Sequence, residues 1–357
     1  MKKFFKIIGI LLLLCIVVVL GYFIYVYATY YRVADHQQLS ISQFATTKTL
    51  KTDTQYRISS ANIGFGAYSD DYSFFMDGGK YSRARSKEEV KTNVQGEIAT
   101  IQSLKPDFAM FQEVDVDGTR SYHVNEYQML EVGLKDYTSV FAQNYDSPYL
   151  LYPLNSPHGK NKAGMATFSD VQSTMATRRS LPIETGFSKF MDLDRCYIKQ
   201  VFEVDNGKRF IVYNVHLSAY TTKGDTATKQ LKMLFTDMDQ EVQKGSYVIA
   251  GGDFNKDLLK DSYAIFKQGD KNVGDWAKPI DTSLMPSSLE LVAPFDKTNP
   301  VPSCRNADRP YSKDDFVLTV DGFIVSKNVQ VKEAKVVDAK FKHSDHNPVY
   351  LDFSLNQ

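Results

Sequence analysis

The sequence predicts an α/β protein: a two-sheet β-sandwich flanked by helices and preceded by one N-terminal transmembrane helix. Three observations predict it. First, no charged residue of either sign occurs from Ile7 to Ala28. That run, at about 1.5 Å per helical residue, reaches roughly the 30 Å of a bilayer's hydrocarbon core. Second, many short runs alternate apolar and polar residues and close on Gly, Asn or Asp, as strands do. Third, two segments carry their apolar residues on one helical face, and nothing repeats or divides the rest, so the strands and helices belong to one domain. The 22 Tyr and 23 Phe supply a core that suits sheets.

The elements follow in order. Residues 1–6 form a cytoplasmic stub, because Lys2, Lys3 and Lys6 precede the apolar run and positive charge stays inside. Residues 7–28 are the transmembrane anchor, with Tyr22, Tyr25, Tyr27, Tyr30 and Tyr31 as an aromatic belt at the outer interface. A cleaved signal peptide is the alternative, but the run exceeds the usual apolar region and lacks a clear small-x-small site. Residues 29–52 are polar and weakly periodic, a stalk or lead-in. Residues 53–357 form the folded domain, expected outside the cytoplasm and monomeric.

Within it, "YRISSANIGFG" alternates as a strand, and a Gly- and aromatic-rich insertion follows at residues 67–85. Ser86 and Glu89 are spaced as a capping box for a helix with Val90, Val94, Ile98, Ile101 and Leu104 on one face, stopped by Pro106. "FAMFQEVD", "AGMATFS", "RCYIKQVFEV", "RFIVYNVHLSAY", "YVIAGGDFN", "TVDGFIVS" and "PVYLDFSL" read as further strands. Asn206-Gly207 marks a hairpin. A second helix runs from about Asp225 to Lys244, with Gly245 as its stop.

Charge narrows the function. The chain balances 42 basic against 42 acidic residues, and the first 32 hold four basic and no acidic ones, so the remainder is net −4. Phosphate-backbone binding calls for local positive charge, which the global balance does not favour. Two cysteines beyond the anchor, Cys196 and Cys304, allow one bridge at most and no zinc cluster of the usual spacing.

Several strands end in a polar residue that breaks their apolar register: Asn62, Glu113, His216, Asp253 with Asn255, Asp321, and Asp345-His346 before the last strand. Singly, each reads as a turn or a hydrogen-bonded core residue. Jointly they favour convergence, because a lone carboxylate at a core edge costs several kcal/mol unless paired or bound to a metal. Oxygen ligands without thiolates suit a hard cation, with Mg²⁺ expected and Mn²⁺ or Ca²⁺ as alternatives. Histidines and spare carboxylates supply bases and acids near neutral pH.

"FQEVD", "YNVHLSAY", "GGDFN" and "SDHNPV", in this order, resemble the endonuclease/exonuclease/phosphatase superfamily, the DNase I-like fold of deoxyribonucleases, abasic-site endonucleases, neutral sphingomyelinases and inositol polyphosphate 5-phosphatases. The resemblance spans about Asp53 to the C-terminus. It implies that Asn62, Glu113 and Asp345 hold the metal and that Asp253 orients or deprotonates the attacking water. It implies that Asn255 holds the phosphate and that water, that His346, oriented by Asp321, faces the scissile phosphate, and that His216 is the second catalytic histidine. Arg195 resembles the arginine that grips a phosphate oxygen; a solvated strand-edge charge is the other reading. The carboxylate that supports the first histidine in the family has no clear equivalent, and the 67–85 insertion is longer than in the compact nucleases.

The expectation is a membrane-anchored, metal-dependent phosphoester hydrolase acting on a small molecule or lipid headgroup. An extracellular nuclease is the alternative, for which Thr177–Arg179, Lys160 and Lys162 are the candidate basic groove. A catalytically inactive surface interaction module is the alternative of another class.

Overall fold

The computed structural model describes residues 1–42, 48–219, 225–270 and 276–357. Residues 43–47 of the lead-in and Tyr220, the end of "YNVHLSAY", lie outside the described residues.

Helix α1 (Lys2–Thr29) is long and apolar enough to cross a membrane, and none of its most apolar window is buried in the protein. The lead-in that follows is packed along the domain. Arg32 pairs with Asp194 at 2.8 Å, β1 (Gln37–Gln38) adds to a sheet edge, and Leu50 is fully buried.

Two mixed sheets stack face to face, as expected from the alternating runs. The six-stranded sheet contains β2 (Gln55–Asn62), β3 (Phe108–Gly118), β4 (Thr138–Asp146) and β5 (Asn161–Ser169). The seven-stranded sheet contains β1 with β6 (Met175–Ser180), β7 (Cys196–Glu203), β8 (Arg209–His216), β9 (Tyr247–Asp253) and β10 (Leu289–Val292). A small pair, β11 (Cys304–Arg305) and β12 (Val317–Leu318), stands apart. β13 (Asp321–Ser326) completes the larger sheet, in the order β1-β6-β7-β8-β9-β13-β10. β14 (Val329–Val336) and β15 (Val349–Leu355) complete the smaller, ordered β14-β15-β2-β3-β5-β4.

Each sheet has one parallel pair, β2/β3 and β8/β9, bridged by a helix that crosses its outer face. Helix α2 (Lys87–Leu104) starts at Ser86, whose hydroxyl accepts the Glu89 N–H at 3.0 Å, and buries Val90, Val94, Ile98 and Ile101 with Phe111, Phe168 and Leu130. Leu130 lies on the short helix α3 (Glu126–Gly133). Helix α4 (Asp225–Gln243) buries Leu231, Leu234, Phe235 and Met238 against Tyr213, Val248 and Ile324. Between the sheets, Phe108, Phe202, Phe210 and Phe353 pack ring to ring at 5.1–6.5 Å. These aromatics dominate the apolar area removed from water.

Asp321 opens β13 rather than interrupting it, and stands opposite Asp253 in the antiparallel register. Asn206-Gly207 turns between β7 and β8 as expected, with Gly207 at φ 79°. Strands β4, β6 and β14 and helix α3 carry too much polar surface to be signalled by periodicity. Cys196 and Cys304 are both buried and unbridged, which closes the question of a pair.

Candidate active site

The two parallel pairs bring their strand ends to the same rim, and there the interrupting polar residues meet. Asn62 ends β2; its amide donates to Glu113 Oε1 at 3.2 Å and to Asp253 Oδ2 at 3.1 Å, while its oxygen accepts the Gly64 N–H. Asn62 therefore ties the two sheets together and presents nitrogen to the carboxylates.

Glu113 reaches the rim because β3 is bulged. In a regular strand Gln112 and Glu113 would face opposite sides. Here the pairing with β5 shifts between Phe111 and Val114, and Glu113 adopts φ 55°. An inserted residue of this kind re-aims a side chain, at the cost of a left-handed backbone. Gln112 stays inside, donating to Asn214 of β8 at 2.8 Å, and Asn214 donates to the Ala166 carbonyl at 2.9 Å. This fully buried amide bridge pins the two sheets directly beneath the site.

Asp253 ends β9. It accepts the Asn255 N–H at 2.8 Å and the Asn255 amide at 3.2 Å in addition to Asn62. Gly252 before it has φ 142°, and a Cβ there would stand 2.0 Å from the Val215 carbonyl, so the tight parallel pairing of β8 and β9 requires glycine. Burial pushes the Asp253 carboxyl up to about 7.

The two histidines flank Asp253, with His216 Nε2 at 3.6 Å and His346 Nε2 at 3.9 Å from Oδ2. They are not equivalent. His346 Nδ1 lies 2.7 Å from Asp321 Oδ2, which also accepts the Ser303 hydroxyl at 2.7 Å. Burial opposes its charge, but the Asp321 carboxylate outweighs that and holds His346 well above the usual imidazole range. His216 is held well below it by burial, with Arg195 and His346 adding to the effect, and its Nδ1 has no hydrogen-bond partner. The carboxylate that sequence could not place is thus absent among the described residues.

Asp345 is half-buried at the rim, and its carboxylate receives one long hydrogen bond, from Ser344 Oγ at 3.4 Å. Burial, reinforced by the nearby Glu113 charge, raises it to about 6. Asp253, Asp321 and His346 also place ligand atoms within 4.8 Å of one another, as a metal cluster would. The Asp321–His346 hydrogen bond already uses the facing lone pair and ring nitrogen, so this group is an oriented dyad beside a carboxylate. Glu113 and Asp345, oxygen donors with few protein partners, fit a hard cation better.

Arg195 is buried rather than solvated. Its Nη1 donates to the Leu217 carbonyl at 3.0 Å, while its Nε has no partner and the side chain lines the cavity. The cavity, about 390 Å³, has Glu113, Arg195, His216, Asp253, Asn255, Asp345 and His346 in its lining. Most of the remaining lining is apolar, with Phe65, Tyr68, Phe74 and Met76 on one side and Met191, Leu193 and Trp276 elsewhere, beside the polar Asp77, Arg120, His158, Glu184, Asp192 and Asn306.

Residues 67–85 form the first of these groups, a wall. Arg305, fully buried, donates to the carbonyls of Ser69 at 2.9 Å and Tyr72 at 3.2 Å, and Phe74 N–H bonds the Ala307 carbonyl at 2.7 Å. Hydrogen bonds from a charged donor contribute about 1.5–3 kcal/mol each, so the wall is fixed. Arg305, Ser303, Gln112 and Asn214 were all missed in the sequence. Only Gln112 and Asn214 carried a signal, as polar residues inside otherwise apolar runs.

The candidate basic groove is not formed by Thr177–Arg179. Arg178 is fully buried on Gln143 and Asp194, and Arg179 pairs with Asp35 and Asp237.

A sequence profile of the Endonuclease/Exonuclease/phosphatase family matches residues 60–346. Among solved structures, this chain is similar to an endonuclease/exonuclease/phosphatase from Beutenbergia cavernae DSM 12333, at 16% identity and TM-score 0.56 over 85% of this chain and 72% of that one. It is similar to the human Nocturnin catalytic domain with bound sulfate anion, at 18% identity and TM-score 0.53 over 89% and 97%. It is also similar to ANGEL2, a 2′,3′-cyclic phosphatase, at 14% identity and TM-score 0.55 over 90% and 99%. No curated protein sequence matches.

Proposed function

The chain belongs to the endonuclease/exonuclease/phosphatase family of phosphoester hydrolases, and from that premise we propose that it is a membrane-anchored, divalent-metal-dependent enzyme that hydrolyses a small-molecule or lipid-headgroup phosphoester outside the cytoplasm. The observation that carries this reading is the convergence of Glu113, Asp345, Asp253, His216 and His346 on one cavity from both sheets.

Glu113 and Asp345 would hold the cation, with Asn62 positioning Glu113. When bound, the cation supplies charge stabilisation to a non-bridging phosphoryl oxygen. Asp253, steadied by Asn255 and Asn62, accepts the proton of the attacking water. A carboxyl near 7 is matched to that task at neutral pH. Protonated His346, oriented by Asp321 and Ser303, offsets the negative charge that develops on phosphorus. Arg195, with its unpartnered Nε, and neutral His216 hold the remaining phosphoryl oxygens. Attack is in line and forms no covalent phospho-enzyme.

Two features favour a small or lipid substrate over nucleic acid. The site is a walled cavity whose remaining lining is mostly apolar. In addition, the arginines closest to a groove are spent on internal partners. Arg120 forks onto Asp115 at 2.7–3.2 Å and Arg305 holds the wall.

The test is a panel on the purified full-length protein with Mg²⁺, Mn²⁺ or Ca²⁺, then EDTA. It compares a phosphomonoester, a phosphodiester, a phospholipid, a sugar phosphate and plasmid DNA. Turnover that EDTA abolishes is expected on a small or lipid phosphoester. DNA cleaved far faster than the others overturns the substrate ranking, and no turnover with any metal overturns the activity.

A further inference from the structure

The rim of the cavity continues into an exposed apolar surface. Ser147 to Pro157 carries no charged side chain, and it leaves Tyr152 71% and Leu154 84% exposed, with Tyr149 and Leu151 also exposed. Across from it, Phe187 and Met191 are exposed on the segment that lines the cavity through Met191 and Leu193. Met76 of the wall is exposed on the third side, and Tyr152 packs on neighbouring Phe75 at 5.8 Å. Apolar patches of this extent mark contact surfaces.

What covers this one is indicated by its neighbour. Tyr22 of α1 donates to the Tyr149 carbonyl at 3.1 Å, and the Tyr149 N–H donates to Tyr25 at 2.9 Å. Phe23 packs on Phe187 at 5.6 Å, and Tyr30 on Phe190 at 4.9 Å. Tyr22 lies about 10 Å along the helix before its end at Thr29. The loops therefore stand beside the last apolar turns of the spanning helix, level with the membrane's edge. The base of the 147–157 loop is also paired internally. Leu150 and Gly159 exchange both backbone hydrogen bonds at 3.0 Å, Ser156 N–H bonds Pro153, and His158 N–H bonds Tyr152. Backbone groups paired in this way lose little on leaving water. Lys189 holds its Nζ over the rings of Tyr30 and Phe190 at 5.2 and 5.0 Å, a cation among the aromatics at the end of the helix.

We propose that residues 147–157 and 187–191 form a membrane-docking surface that inserts into the bilayer entered by α1 and holds the cavity mouth at the lipid–water interface. Its occupant is the lipid surface. The consequence for chemistry rests on the function proposed above: the site would take phosphoesters presented at that interface, with their apolar part against Phe74, Met76, Met191 and Trp276.

The test uses the full chain in phosphatidylcholine vesicles with and without brominated acyl chains, the emission of native Trp276 in the parent chain being subtracted under each condition. The emission added by Leu154→Trp is expected to fall about twofold or more as interfacial insertion brings it to the bromines. That of Val132→Trp, exposed on α3, should be unchanged. Equal emission from both variants with and without bromine overturns the docking. In a second arm, Leu151→Ser/Leu154→Ser is expected to lose about tenfold activity on a phospholipid in vesicles, through lost apolar insertion, and none on a soluble phosphodiester. An equal loss on both substrates overturns it. A chain that is quenched as expected yet hydrolyses nothing refutes the activity and leaves the docking standing, so the two failures are distinguishable.

Discussion

The two flanks of the site are built alike and finished differently. Each comes from the end of a parallel strand pair bridged by an outer helix. On the seven-stranded flank the carboxylates are better served by the protein, with only Asp321 Oδ1 buried without a partner. Asp253 has three donors within 3.2 Å, and Asp321 has Ser303 and His346 at 2.7 Å. On the six-stranded flank Glu113 has one donor at 3.2 Å and Asp345 one at 3.4 Å. Two neighbouring carboxylates with so little compensation are costly unless a cation joins them. On the proposed function the difference amounts to a division of labour: one flank, better served by the protein, suits moving protons, and the other would be completed by a metal.

The sharpest way to break this division is to compare Asp253→Asn with Glu113→Gln across a metal titration. Asp253→Asn is expected to lower kcat/KM about 10³-fold, because the base is gone, and excess metal should not restore it. Glu113→Gln should weaken apparent metal affinity about 100-fold or more, beyond the range for outer-shell partners, and regain much of its rate at high metal. Rescue of Asp253→Asn by metal, or none for Glu113→Gln, erases the distinction between the flanks.

A smaller effect tests whether the first flank is self-sufficient. Ser303→Ala removes one of the two donors to Asp321 and should lower kcat about tenfold with KM little changed, since the dyad loses orientation rather than a substrate contact. A loss confined to KM would assign Ser303 to binding instead.

The smallest prediction probes charge behind the second flank. Glu97 on α2 is fully buried, its Oε2 has no partner, and burial raises it to about 8. Between its ordinary 4.5 and about 8 the unfolded chain has released this proton while the folded chain keeps it. Stability therefore falls as pH rises through that window. Glu97→Gln should match the parent near pH 5 and melt roughly 5 °C higher above pH 8. Parallel melting curves at all pH values would show that Glu97 is neutralised by another route.

The sequence made the strand-end residues legible for a physical reason: each is polar where its neighbours are apolar, so Asn62, Glu113, His216, Asp253, Asp321 and Asp345 stood out before any fold was known. Their pairing did not. Which carboxylate serves His346 and which serves nothing depends on register across non-neighbouring strands, and Asp321 faces Asp253 only through the β9–β13 ladder. Ser303 and Arg305 come from an irregular segment without period. The burial of Arg178, which removed it from any basic groove, follows from acceptors 16 and 35 positions away that no local pattern announces. Helices α2 and α4 were read almost to the residue because their signals are local: Ser86, Glu89 and the apolar spacing along one face.

The bulge at Glu113 has a consequence for how such a protein could lose its activity in evolution. Deleting one residue there would close the shift between Phe111 and Val114, leaving only the one between Asp115 and Asp117, relieve the left-handed backbone and turn the acidic side chain away from the rim. The loss would come with firmer folding, not weaker. Silent descendants of this chain would therefore be recognised by a strand one residue shorter, a signature that comparing residue types at matched positions would overlook.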